Sequence, residues 1–205
     1  VERMRLDANS RISLSNNDSG SGNTIFGYLA GESIEGTNTQ NNTFIGTKSG
    51  YAGTFDSAQN NTAVGHFSLQ DLTSGDNNVA IGKSAGENIT SGLNNVAIGI
   101  EALYTSVDGS SNTAIGRKAL YTFEGGSGAG ENTAVGSLAS FALTTGVSNV
   151  SVGKGALANG TTASANVAIG TTAMGLGVAT GVGANVAVGQ SALYDLTSGA
   201  NNTAI

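Results

Sequence analysis

Asn78-Val79-Ala80-Ile81-Gly82 returns seventeen residues later as Asn95-Val96-Ala97-Ile98-Gly99, and after seventeen more as Asn112-Thr113-Ala114-Ile115-Gly116. Outward from this stretch the same pattern, Asn-(Thr/Val)-Ala-(Ile/Val)-Gly, occurs eleven times in the 205 residues. The first copies are degenerate, Asn23-Thr24-Ile25-Phe26-Gly27 and Asn42-Thr43-Phe44-Ile45-Gly46, and the last, Asn202-Thr203-Ala204-Ile205, stops before its glycine. The motif glycines stand at 27, 46, 65, 82, 99, 116, 136, 153, 170 and 189, giving spacings of 19, 19, 17, 17, 17, 20, 17, 17 and 19. The period is therefore 17 residues with insertions.

Each motif is followed by a looser piece, as in Ser68-Leu69-Gln70-Asp71-Leu72-Thr73-Ser74-Gly75 and Ala192-Leu193-Tyr194-Asp195-Leu196-Thr197-Ser198-Gly199. The insertions fall between this piece and the next Asn, the longest copy carrying Glu124-Gly125-Gly126-Ser127-Gly128-Ala129-Gly130. Such a unit is too short for a helical hairpin or a propeller blade, whose periods start at about 33 residues, and suits one coil of a solenoid. Val, Ile and Thr favour strands, Asn and Gly supply positive-φ turns, and the Gly, Ser, Thr and Asn load disfavours helix. The expected fold is all-β: a β-solenoid or β-roll of about eleven coils of 17–20 residues over residues 22–205, preceded by a β-rich connector, residues 1–21. Coils stacked about 4.8 Å apart would form a rod on the order of 50 Å long.

Alternate strand residues face opposite sides. The Thr/Val and Ile/Val/Phe positions share one face, the Ala and Gly positions the other, and neither face is charged in any copy. A strand apolar on both sides reads as buried on both sides. A lone thin coil buries only one, so an identical chain around a symmetry axis is expected to cover the other, as a homotrimer, intertwined or side by side. The row expected to be buried is Phe26, Ile45, Val64, Ile81, Ile98, Ile115, Val135, Val152, Ile169, Val188 and Ile205. Stacked amide side chains exchange hydrogen bonds along such an axis. The expected structural ladder is Asn23, Asn42, Asn61, Asn78, Asn95, Asn112, Asn132, Asn149, Asn166, Asn185 and Asn202.

Composition agrees with a structural chain. Only 11% of residues are charged and 5% aromatic, with 32 Gly and no Pro, Cys or Trp, which excludes collagen, disulfide scaffolds and coiled coils. A net charge of −6 and a pI near 4.5 lack the electrostatic footprint of a nucleic-acid binder. No apolar run of 18 residues and no basic-then-apolar leader is present, so neither membrane insertion nor a signal peptide is expected. The last motif, lacking its glycine, reads as part of a longer chain.

His66 is the one histidine and stands without cysteines or a carboxylate cluster, so it reads as a surface or packing residue. The glycine-rich stretch 125–130 lacks the Lys-Ser/Thr of a phosphate loop. Asp71, Asp76, Asp108 and Asp195 are too scattered for a calcium-binding roll. No catalytic, cofactor or metal residue is expected. Tyr51, Tyr104, Tyr121, Tyr194, Phe67, Phe123 and Phe141 fall in the second half of their coils. They are read either as packing at coil edges or as an exposed strip touching a glycan or a neighbouring fibre.

The Asn-x-Ala-Ile-Gly motifs resemble the head repeats of YadA-type trimeric autotransporter adhesins, and more closely the Asn-Thr-Ala-Ile-Gly-x-x-Ala-Leu repeats of bacteriophage tail fibres, over about residues 22–205. Glu2-Arg3-Met4-Arg5-Leu6-Asp7 is similar to a Glu-Arg-Met-Arg-Ile-Asp segment common just before such repeats in phage tail proteins. The resemblance implies a parallel homotrimeric fibre, although the coils here are longer and less even than those of adhesin heads. The expected function is a structural segment of a phage tail fibre, shaft or receptor-binding region, involved in host-surface attachment. It implies an extracellular place on the virion tail, with itself, other tail proteins and a host glycan or protein as partners, and no nucleic acid. The head of a bacterial surface adhesin is the first alternative. A monomeric ice-binding solenoid is the second, prompted by Thr24, Thr43, Thr62, Thr113, Thr133 and Thr203 and opposed by Val at 79, 96, 150, 167 and 186.

Overall fold

The computed structural model describes residues 5–6, 12–13, 22–32, 34, 38–51, 57–125, 130–176 and 183–205. Two short strands, β1 (Arg5–Leu6) and β2 (Ile12–Ser13), pair antiparallel; the rest of the expected connector lies outside the described residues. Eleven strands follow: β3 (Thr24–Phe26), β4 (Thr43–Ile45), β5 (Thr62–Val64), β6 (Val79–Ile81), β7 (Val96–Ile98), β8 (Thr113–Ile115), β9 (Thr133–Val135), β10 (Val150–Val152), β11 (Val167–Ile169), β12 (Val186–Val188) and β13 (Thr203–Ala204). They form one parallel sheet in strict chain order, so each strand lies on the strand of the previous coil. Eleven strands enclose ten turns of a β-solenoid. The register follows the motif and not the residue count: Thr113 pairs with Thr133 across the 20-residue coil as Val79 pairs with Val96 across a 17-residue one. Insertions of two or three residues leave the strand register unchanged.

Strands stop after three residues because the motif glycine takes φ between 127° and 145° in all ten copies, a region closed to L side chains. Space closes it too. A Cβ on Gly99 would sit 2.7 Å from the carbonyl carbon and oxygen of Gly116 in the next coil. The turn after the glycine repeats two more positive-φ residues per coil, Phe67 and Leu69 in one, Glu101 and Leu103 in another, Lys118 and Leu120 in a third. A left-handed conformation costs an ordinary residue about 1–2 kcal/mol. Bonds between coils offset it: the Glu101 N–H donates to Lys83 O and the Leu103 N–H to Ala119 O, each at 2.9 Å. The ladder thus runs on around the turn, well beyond the strands.

The core lies between the sheet and this turn. From the sheet come the middle residues of the strands, Ala63, Ala80, Ala97, Ala114, Ala134, Ala168 and Ala187, with Phe44 and Ser151, all fully or almost fully buried. From the opposite wall come Leu69, Leu72, Ile89, Leu103, Leu120, Phe123, Leu143, Leu157 and Met174. This corrects the expected inward face. Phe26, Ile45, Ile81, Ile115, Val152 and Ile169 are exposed on the outer face, Phe26 at 64% and Ile81 at 40%. Val64, Ile98, Val135 and Val188 are half-buried on that same side, and Ile205, in the last coil, is exposed. The coil is thin, and a leucine reaching from the turn fills it, leaving room for a methyl group but not a branched side chain from the strand.

Where one wall changes, the other compensates. Gly50 makes room for Phe44 and Gly86 for Ile89, since a Cβ on either glycine would come within 2.9 Å of that side chain. Ser140 and Ser151 replace a leucine and an alanine together and hydrogen-bond at 2.8 Å, parting the apolar core into one cluster ending at Leu143 and another beginning at Ala156. Ser106 is the uncompensated case: it stands where other coils place Leu72, Ile89, Phe123 and Leu143, and its buried hydroxyl has no hydrogen-bond partner.

Three substitutions test these contacts, each read from thermal unfolding. Gly99→Ala is expected to destabilise by roughly 3 kcal/mol, summing backbone strain and overpacking. Gly155→Ala, at φ 66° with its nearest atom the Thr172 methyl at 3.5 Å, should lose only about 1 kcal/mol. Ser106→Ala should raise the melting temperature, because it removes an unsatisfied buried hydroxyl at a gain of roughly 1 kcal/mol.

Candidate functional site

Three longitudinal features repeat on the solenoid: an internal column of asparagines, an outer sheet face and an edge beyond the glycines. The asparagine precedes each strand and points inward. Asn42, Asn61, Asn78, Asn95, Asn112, Asn132, Asn149, Asn166 and Asn185 are buried, and Asn23 and Asn202, in the first and last coils, are half-buried. At each of the ten steps one Oδ1 accepts from both the backbone N–H and the Nδ2 of the next asparagine. The bonds at Asn95 are 3.0 and 3.1 Å to Asn78 Oδ1, and those at Asn112 the same to Asn95 Oδ1. The other Nδ2 hydrogen goes to a turn carbonyl, as from Asn61 to Gly75 O, Asn78 to Gly92 O and Asn95 to Gly109 O, all 2.8 Å. Two donors and two acceptor sites are all used, which is what permits a primary amide in a dry interior. The longest bonds, 3.2 and 3.3 Å, join Asn112 to Asn132 across the 20-residue coil. This column is structural in its geometry, with every polar atom occupied by the chain itself.

The outer sheet face carries two rows, Thr or Val at the first strand position and Ile, Val or Phe at the third. Charged residues are absent from both rows. An apolar strip running the length of an eleven-stranded sheet is larger than the isolated apolar residues expected on a monomer's surface.

The edge beyond the glycines holds most of the aromatic side chains. Tyr104, Tyr121 and Phe141 stack along the axis, with centroids 5.2 and 5.3 Å apart and planes within 11°. Lys48 lies 4.7 Å over Tyr51 and 5.5 Å over Phe67, and Lys118 lies 4.7 Å over Tyr121. The neighbouring Glu87 carboxylate, with smaller contributions from burial, Tyr121 and Glu101, holds the Tyr104 phenol above its ordinary value of 10.0. Phe123 is not an edge residue, being wholly buried.

The other candidates are dispersed. His66 is exposed with its ring 3.7 Å from that of Phe67. Asp76 caps the Gln59 N–H at 2.7 Å and Asp71 accepts from Gln70 at 3.2 Å, both local structural bonds. Asp108 is half-buried and Asp195 exposed. Of the glycine-rich insertion, residues 126–129 lie outside the described residues. Among the described residues no three His, Cys, Asp or Glu side chains are grouped to hold a metal, and no helix is long and apolar enough to cross a membrane.

The motif pattern does not single out the position just after each glycine, where Tyr28 is 72% and Ile100 49% exposed. Counting from the glycine, rather than along the chain, is the signal that finds it. No protein-family model, curated protein or solved structure matches this chain.

The amide column yields its own test. Asn95→Leu keeps the size of the side chain but leaves Asn78 Oδ1, Gly109 O and the Asn112 donors without it, so unfolding in denaturant should show a loss of roughly 3 kcal/mol. A loss below about 1 kcal/mol would place the register elsewhere.

Proposed function

We propose that this chain is a structural fibre segment of a phage tail, assembled as a parallel homotrimer through its outer sheet face and serving host-surface attachment. The observation that carries the reading is the apolar third row, Phe26 to Ile205, left on the outside of the single chain along its whole length. Covering a side chain such as Ile81 would remove apolar area worth about 1–2 kcal/mol at 25 cal/mol per Å². A cyclic axis parallel to the solenoid keeps every coil level with its copies, and three flat sheets then enclose one apolar seam. Mechanism in such a segment is geometry: stacked coils supply length and stiffness, and the sides carry whatever contacts the segment makes. The phage setting rests on the resemblance of the repeats and of residues 2–7; an adhesin head on a bacterial surface shares the trimer and differs in what surrounds it.

One observation favours a second reading. The Thr/Val row shares the outer face with the Ile/Val row, so a free-standing chain would present a flat, regularly spaced sheet to solvent, as an ice-binding solenoid does.

Light scattering of residues 1–205 separates the two. The trimer predicts a mass near three times 20.2 kDa that persists in mild denaturant, and Ile98→Asp, which places a charge on the covered row, should reduce it to the monomer. A 20.2 kDa species with β-rich dichroism would overturn the trimer and favour the free-standing sheet.

A further inference from the structure

Counted from the motif glycine, every lysine and arginine of residues 22–205 falls on one of the next two positions. Lys83, Arg117 and Lys154 come directly after their glycines, and Lys48 and Lys118 one place later. Of the acids on that span only Glu101 shares either position. Bonds between coils hold the first position in register: Glu101 N–H to Lys83 O, Lys118 N–H to Ile100 O, Leu138 N–H to Arg117 O, Gly155 N–H to Ser137 O and Thr172 N–H to Lys154 O, all 2.9–3.0 Å. Lys83, Arg117 and Lys154 therefore share one column, one cation on every second coil, with backbones about 9.6 Å apart.

The three differ from the other two cations. Lys118 pairs with Glu101 at 3.2 Å and lies on Tyr121, and Lys48 lies on Tyr51 and Phe67. Lys83, Arg117 and Lys154 are exposed, and no described carboxylate lies within ion-pair distance of them. Burying unpaired charge is costly, so the line stays at the surface whether or not the sheet face is covered. Between the cations the column places Ile100 and Ser137, neither of them charged. The stacked Tyr104, Tyr121 and Phe141 belong to the same edge beyond the glycines, with Lys118 lying over Tyr121.

We propose that this line binds an extended, linear acidic glycan carrying one carboxylate per two sugar units. The spacing of the cations is close to the length of a disaccharide in an extended chain, which sets each carboxylate against a cation and each neutral sugar over Ile100 or Ser137. Nucleic acid fits poorly, since a strand carries a charge about every 3.4 Å and only about one phosphate in three would meet a cation. A chain of net charge −6 also repels a densely charged polymer more than a sparsely charged one. The proposal deepens the attachment reading, on which its biological setting rests, while binding is read separately from mass.

The test is calorimetric titration at low salt with hyaluronan fragments, in which uronate and neutral sugar alternate. Polygalacturonate fragments with a charge on every sugar, neutral dextran and short duplex DNA are the comparisons. Hyaluronan should bind, more weakly as salt rises, and more tightly than the other three. Replacing Lys83, Arg117 and Lys154 together by Gln should weaken it roughly tenfold. Lys83→Gln combined with Ile100→Lys keeps the net charge but breaks the spacing, and should also weaken binding; mass and dichroism unchanged from the parent show that the variants are folded. No binding of hyaluronan, equal or tighter binding of polygalacturonate, dextran or DNA, or parental affinity in the spacing variant would each overturn the proposal. A monomeric mass with spacing-dependent binding intact would remove the fibre reading and leave this one standing.

Discussion

The asparagine amide column is the constraint on which the rest of the solenoid depends. Each buried amide bonds to its counterparts in the coils on either side and to a turn carbonyl. A coil displaced by one residue would leave these groups unpaired in a dry interior, at roughly 1–3 kcal/mol for each orphaned group. Register is therefore set at a single position per coil. This is why insertions of two or three residues leave the pairing of the strands unaltered, and why the amide bonds are longest at the longest coil.

Close stacking follows from that register, and the glycine and the strained turn follow from close stacking. The motif glycines touch backbone to backbone, with a would-be Cβ inside 2.9 Å of the next coil from Gly27 to Gly170. Leucines such as Leu69, Leu103, Leu120 and Leu157 hold φ between 46° and 51°, which an isolated turn would abandon. They keep it because their N–H groups are claimed by the following coil and their side chains are the bulk of the core. Strain within a coil is thus offset by bonding between coils, so a single coil has little reason to fold alone and stability accumulates along the axis.

The period, the strand positions and the asparagine column were legible in the sequence because each rests on a residue type repeated in register. The inward face was not. Size ranks Ile above Ala as a core residue, and that ranking holds for a sheet facing a deep layer; here the opposite wall is one turn away and its leucines occupy the space. Strand alternation alone leaves the choice between faces open, since both are apolar, and the decision lies in the turn. Phe123 shows the same error from the other side: it reads as one more edge aromatic until it is aligned with Leu72, Ile89 and Leu143, which share its place in the coil and its burial. The positive φ at leucine could not be read at all, because nothing in a leucine favours it.

The outer columns answer to different constraints from the inner ones. Core positions vary in pairs, Phe44 with Gly50, Gly86 with Ile89 and Ser140 with Ser151, because a shared volume links them. No internal contact of that kind requires Ile, Val or Phe at the third strand position in every coil, where Thr would serve the strand and suit solvent better. Under the proposed trimer, a row kept uniform without an internal reason would meet a neighbour that presents the same surface at each coil, and a level copy of the same chain has that repeat by construction. The position after the glycine is the opposite case. It runs Tyr28, Thr47, His66, Lys83, Ile100, Arg117, Ser137, Lys154, Thr171 and Gln190, as varied as the third row is uniform. Such a column is not answering to the repeat, and its chemistry is free to follow whatever lies along the side of the rod. On the proposed reading, the uniform row is the face for assembly and the varied column the edge for recognition.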